Sequence, residues 1–163
     1  MNDIRLHVLE KEIEASKELT KRFGDMVREE LSDATAEIDF CIEKALSSLT
    51  SDEKIMEKLD ELKAIILDTA DDCKKAAVMY RQEDERYEAN LESAISLRSF
   101  IADLDTYSRK PKEQFLDFCE ALREMHVKLL RASLIYYVAG HEEGGLIYRT
   151  VSDMTGIVLT EKL

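Results

Sequence analysis

The sequence predicts an all-α protein: a long antiparallel, coiled-coil-like helical hairpin with a third helix packed on its base, forming an elongated helical bundle. Three observations carry this expectation. Helix breakers are scarce, with 5 Gly and 1 Pro in 163 residues. Charged residues make up 36% of the chain, above the quarter or so of an ordinary globular domain, while the 45% that are apolar still suffice for a core. Apolar residues recur every three or four positions through most of the chain, which is the period of a helix with one buried face. The length fits a single domain over 1–163.

Helix 1 is expected from about Asp3 to Leu49. Its seam runs Leu6, Leu9, Ile13, Ser16, Thr20, Phe23, Val27, slips by four to Leu31, and resumes as Ala34, Ile38, Ile42, Ala45, Leu49. Gly24 lies inside this pattern at a cost of about 1 kcal/mol relative to Ala. The break follows at Ser47-Ser48-Leu49-Thr50-Ser51. Thr50 and Glu53 have the spacing of a capping box, in which hydroxyl and carboxylate each serve the other residue's amide. Helix 2 is then expected from about Ser51 to Tyr107, with Ile55, Leu59, Leu62, Ile66, Thr69, Cys73, Ala76 and Tyr80 on its seam. A slip to Asp84 coincides with the polar run Arg81 to Arg86, where a kink or local unwinding is expected. Ser108-Arg109-Lys110-Pro111 ends this helix. Pro111 suits the first turn of helix 3, expected over about 111–139, with Phe115, Phe118, Cys119, Leu122, His126, Leu129, Ser133 and Tyr136 at helical spacing. Gly140 fits the position just past a helix end. Residues 141–145, rich in Gly, read as a loop. The tail holds a short helix with Ile147, Val151, Met154 and Val158 on one side.

Unbroken helices of these lengths would span about 70 and 85 Å, against a radius of gyration near 15 Å for a compact domain of this size. Either the protein is elongated or the helices break where their seams slip. A third helix of about 29 residues covers only the base of the hairpin. The tip, with Ile38, Ile42, Ala45, Leu46 and Leu49 facing Ile55, Met56, Leu59, Leu62, Ile65 and Ile66, is left as an apolar patch of the kind that marks an interface. Assembly through this tip, with a second copy or another helical protein, is the main expectation, and a dimer its simplest form. The alternative is that the tail or a folded-back helix covers the patch.

The net charge of −12 sets further bounds. Binding a nucleic-acid duplex needs clustered Lys and Arg, and here the basic residues are interspersed with acids. The most apolar stretch, Leu129 to Gly140, contains Arg131 and falls short of the roughly 20 residues a membrane span requires. The N-terminus lacks the apolar segment of a secretory signal, so a cytoplasmic protein is expected, with export lacking a cleavable signal left open. Cys41, Cys73 and Cys119 form no close pair and read as free buried thiols in a reducing compartment.

No chemistry-bearing motif emerges. The Glu-x-x-His pairs of di-iron bundles are absent, since Arg123 and Val138 precede His126 and His141 by three. Cys and His are too scattered for a zinc site, and neither a phosphate-binding Gly-rich loop nor a nucleophile elbow is present. No catalytic residue, cofactor or metal is expected. His126, on the seam, is a satisfied core histidine or else a ligand or base. His141-Glu142-Glu143 is a solvated loop or else a cation contact.

Ala76 to Asp84 (AAVMYRQED) lies late in the second helix of the expected hairpin. Its Tyr80-x-x-x-Asp84 spacing resembles the Tyr-x-x-x-Asp/Glu element of the small Trp-x-Gly helical-hairpin families of type VII secretion substrates and their partners. The resemblance covers residues 1–95 and lacks the Trp-x-Gly turn, for which Phe23-Gly24 is the nearest counterpart. It implies that Tyr80 and Asp84 are export determinants and the hairpin a pairing surface. Otherwise Tyr80 is a seam residue beside an acidic run. The functional expectation is thus a non-enzymatic helical interaction module. Its alternatives are such an export substrate, an adaptor or scaffold that holds another protein's helix in an apolar groove, and an enzyme or metal carrier built on the 141–145 loop.

Overall fold

The long seams break, the first where it turns polar at Ser16 and the second at its slip to Asp84, while the slip from Val27 to Leu31 lies inside one unbroken helix. In a computed structural model describing residues 2–105 and 110–163, the helices are α1 (Asn2–Glu14), α2 (Lys17–Ser48), α3 (Asp52–Ala77), α4 (Glu85–Asp105), α5 (Pro111–Val138) and α6 (Glu142–Ile157), followed by a π-helical turn, Val158–Lys162. The all-α expectation holds. The end of expected helix 2 at Tyr107, with Ser108 and Arg109, lies outside the described residues.

Helix 1 is two helices. Ser16 is extended, and the Thr20 hydroxyl donates to the carbonyls of Ile13 and Ser16 at 3.0 and 2.8 Å. These polar seam positions offer the backbone an alternative to the helical ladder, so the helix ends there. The cap of α3 is shifted by one from the expected Thr50–Glu53 box. Ser51 accepts from the Lys54 amide at 3.3 Å, with Asp52 and Glu53 in the first turn and Lys74 and Lys75 in the last, each favoured by the helix dipole. The chain turns fully at 78–84. Asp84 begins α4 by accepting from the Arg86 amide at 2.9 Å, which pins the break to the polar run.

Two hairpins organise the fold. α3 packs on α4, α5 packs on α6, and α5 touches every other helix and the π turn. The expected hairpin of helices 1 and 2 does not form. α2 lies on α5, α1 and the π turn instead of running alongside α3. The apolar face of α3 is occupied by α4 and α5, and the buried Val158 and Leu159 of the π turn pack at the junction of α2, α3 and α5. Lys58 holds this tail through the Lys162 carbonyl at 3.1 Å.

α5 starts with Pro111 at its first turn, as expected. It ends at Gly140, whose φ of +85° is the left-handed conformation that glycine adopts without strain. The His141 amide donates to the Tyr136 carbonyl and the Gly140 amide to that of Tyr137, closing the free carbonyls of the last turn. The expected loop at 141–145 is instead the start of α6. Gly144 and Gly145 are there for contact. A Cβ on Gly144 would stand 2.7 Å from the Tyr136 ring, and one on Gly145 would stand 3.1 Å from the Ser133 carbonyl. The Ser133 hydroxyl donates to the Gly145 carbonyl at 2.8 Å, so the two helices meet nearly backbone to backbone. Because this close face is Gly144, Gly145, Tyr148, Val151, Ser152 and Thr155, the tail's expected apolar side is split: Val151 and Val158 are buried, while Ile147 is half-buried and Met154 exposed.

An ion network ties α1 to the hairpins. Arg5 Nε lies 3.7 Å from Glu88 Oε2, Arg5 Nη2 is 3.3 Å from His141 Nε2, and Glu85 accepts from the Gly144 amide at 3.3 Å.

Candidate functional site

The residues expected at an exposed hairpin tip are core or core-flanking. Ile38, Ile55, Leu59, Leu62 and Ile66 are buried, and Ile42, Leu46, Leu49, Met56 and Ile65 are half-buried against them. The expectation of a third helix covering only the base failed because α4 folds back along α3 and the tail reaches the junction with α2.

Tyr80 and Asp84 lie in the α3–α4 turn, not on a helix. Both are engaged by Arg86. Its guanidinium stacks over the Tyr80 ring at 4.4 Å and holds the Asp84 carboxylate at 2.7 Å. The side-chain hydrogen bond from Arg86 lowers the Asp84 pKa to about 2. His141, Glu142 and Glu143 belong to the start of α6 and its cap. Among the described residues no cluster of His, Cys, Asp and Glu is arranged to hold a metal ion, and no helix is long and apolar enough to cross a membrane.

Two concave surfaces flank different faces of α6. The first is a groove of about 400 Å³ between α3, α4 and α6. Its walls are Cys73 and Ala76 on one side and Leu146, Ile147, Val151 and Met154 on the other, with Asp72, Thr69, Thr150 and Asn90 supplying polar edges. Leu146 is 58% exposed and Met154 36%. Burial pushes the Cys73 thiol up to about 11, aided by the charge of Asp72, so it is an apolar wall and not a nucleophile. The seam of α6 was readable in the sequence. That its Ile147 and Met154 edge would line a groove was not, because the rotation is set by the two glycines.

The second is a cleft of about 390 Å³ between α2, α5, α6 and the π turn. His126 lies at its base and is only 7% exposed. Gly156 makes room for the ring: a Cβ there would stand 3.1 Å from His126 Cε1. His126 Nδ1 lies 2.8 Å from the Ser152 carbonyl, 3.1 Å from Thr155 Oγ1 and 3.2 Å from Ser152 Oγ. The Thr155 hydroxyl donates its proton to the Ser152 carbonyl, and the Ser152 hydroxyl donates to the His126 carbonyl. All three neighbours therefore present lone pairs to Nδ1, which must carry the ring proton. In the neutral ring Nε2 is then the acceptor. The rest of the cleft is lined by Ile38, Leu130 and Ile157 and by the charged side chains of Glu30, Glu37, Arg149 and Asp153. Arg149 bridges Glu30 at 3.3 Å and Asp153 at 3.2 Å.

Compared with known proteins, the chain matches no family model, no curated protein and no solved structure.

Proposed function

We propose that this protein is a non-enzymatic interaction module whose α3–α4–α6 groove holds a basic amphipathic helix of another protein. The observation that carries the reading is the open apolar groove itself, with Leu146 and Met154 exposed beside Ile147, Val151, Cys73 and Ala76. Apolar side chains at helical spacing on a partner would fill it in the manner of helix-in-groove recognition. The charge selects the partner. The chain carries −12 overall and Asp72 sits on the groove's edge, so a second copy is repelled and a cationic helix attracted.

The test is calorimetric titration with a synthetic peptide of one leucine face and one lysine face, about four helical turns long. A dissociation constant of about 1 μM is expected, weakened about tenfold or more by Leu146→Glu. A scrambled peptide of the same composition that binds equally well would reduce the interaction to charge alone and overturn the reading.

A further inference from the structure

We infer that the turn between α3 and α4 is a tip that docks on an anionic lipid surface. The inference stands apart from the groove proposal, since the two side chains that carry it line neither the groove nor the cleft. These are Val78 and Met79, neighbours that are 75% and 82% exposed, the two highest values among the exposed large apolar side chains of the described residues. One such side chain on a surface is ordinary, whereas two in succession at the end of a helical hairpin form an apolar point. A turn that projects its apolar side chains outward encloses nothing and has to enter a partner.

The backbone of the turn suits a water-poor interface. The Met79 and Tyr80 amides donate to the Ala76 and Ala77 carbonyls at 3.1 Å each, and the Asp84 amide donates to the Arg81 carbonyl at 3.0 Å. Backbone groups already paired within the chain lose little on leaving water. Arg86, stacked on Tyr80 and bound to Asp84, braces the turn from behind.

Charge selects the surface. Lys74, Lys75 and Arg81 are exposed, lie within four residues of the apolar pair, and have no ion-pair partner among the described residues. Of the nearby acids, Asp71 is paired with Arg98 and Asp84 with Arg86, which leaves Glu83 as the unpaired carboxylate of the turn. Asp72 stands six residues before Val78, about 9 Å along the helix. Charge beyond about 8 Å is screened at physiological ionic strength, so the three cations and not the net −12 govern the contact at the tip. In a bilayer with acidic headgroups the two apolar chains enter the acyl boundary while the ammonium and guanidinium groups meet phosphate and carboxylate. An acidic protein would meet the same cations, but it accommodates Val78 and Met79 only with a matching pocket, whereas an acyl layer takes any apolar point. The contact is peripheral: among the described residues no helix is long and apolar enough to cross a membrane.

The experiment is flotation of the full chain with vesicles of phosphatidylcholine alone and of phosphatidylcholine with about one-third phosphatidylserine. The expected result is binding to the anionic vesicles, half-maximal at about 1 mM accessible lipid, and binding about tenfold or more weaker to phosphatidylcholine alone. Lys74→Gln with Lys75→Gln is expected to weaken binding about 25-fold, at about fivefold for each cation. Val78→Ser with Met79→Ser is expected to weaken it about tenfold or more. All four positions are exposed, so both variants should keep the parent's circular dichroism. Absence of flotation at about 10 mM lipid would overturn the inference, as would equal binding to the two vesicles or binding unchanged by Val78→Ser with Met79→Ser. A chain that does not float but is retained on immobilised polyglutamate would reassign the tip to an acidic protein and overturn it equally.

Discussion

α2 and α5 are of similar length and differ sharply in how they are held. Over 32 residues α2 buries only Ile38 and Ala45, whereas over 28 residues α5 buries twelve side chains, from Phe115 to Tyr136. α5 touches every other helix and the π turn, so its stability is tertiary. α2 lies on the outside, sustained more by the propensity of its Glu, Lys, Leu and Ala than by burial. The whole chain exposes 9714 Å², against about 8300 Å² expected for a compact protein of its mass, and the cleft under α2 is part of that excess. Concave surfaces open where packing is thin, on the flanks of the dense α5–α6 hairpin.

Substitutions can break this contrast, and the largest effect is expected in the dense region. Ile66→Asp puts a carboxylate where the side chain is 0% exposed, and should unfold the protein rather than dissociate it. Phe118→Ala, also at 0% exposure, should cost about 3–5 kcal/mol. Phe40→Ala on α2, at 65% exposure, should fall within about 0.5 kcal/mol of the parent. Denaturant unfolding followed by circular dichroism separates the three, and equal losses at Phe118 and Phe40 would erase the distinction.

A second test uses alkali. Burial raises Cys73 to about 11, Cys119 to about 12 and Tyr136 to about 12, and all three lie on α3 or α5. Unfolded thiols and phenols ionise near 8.5 and 10, so these groups bind protons more tightly in the folded state. The stability they contribute is complete below about pH 8.5 and is lost as pH rises toward 12. Thermal midpoints should fall steadily across that window, and a flat profile would contradict the burial of these groups.

A smaller effect than that of Phe118→Ala lies between α2 and α3. Ser51→Ala should cost about 1 kcal/mol by removing the cap of α3, and Thr50→Ala almost nothing. The reverse order in urea midpoints would restore the capping box at Thr50.

The helical period made the buried faces of α5, from Phe115 to Tyr136, and of α3 at Ile55, Leu59, Leu62, Ile66 and Cys73 legible, although α3 buries Ala70 and Ala77 where Thr69 and Ala76 were expected. Pro111 and Gly140 marked the ends of α5 because each has a backbone conformation the position demands. The arrangement of the helices was not legible. The slip at Asp84 signalled an irregularity, but a heptad slip does not distinguish a kink from a full reversal, and the reversal decides that α4 covers α3. Gly144 and Gly145 misled because glycine serves loops and close helix contacts equally, and only the Tyr136 and Ser133 opposite them reveal which. His126 was visible as a seam position, while the proton on its Nδ1 depends on Ser152 and Thr155, 26 and 29 residues away.

The central claim, that the α3–α4–α6 groove is the binding surface, is tested most directly by amide chemical-shift mapping with the leucine–lysine peptide. The account predicts shifts concentrated at Cys73, Ala76, Leu146 and Thr150, with the amides of α2 unmoved. Shifts spread over α2, or confined to acidic surface positions away from the groove, would contradict it.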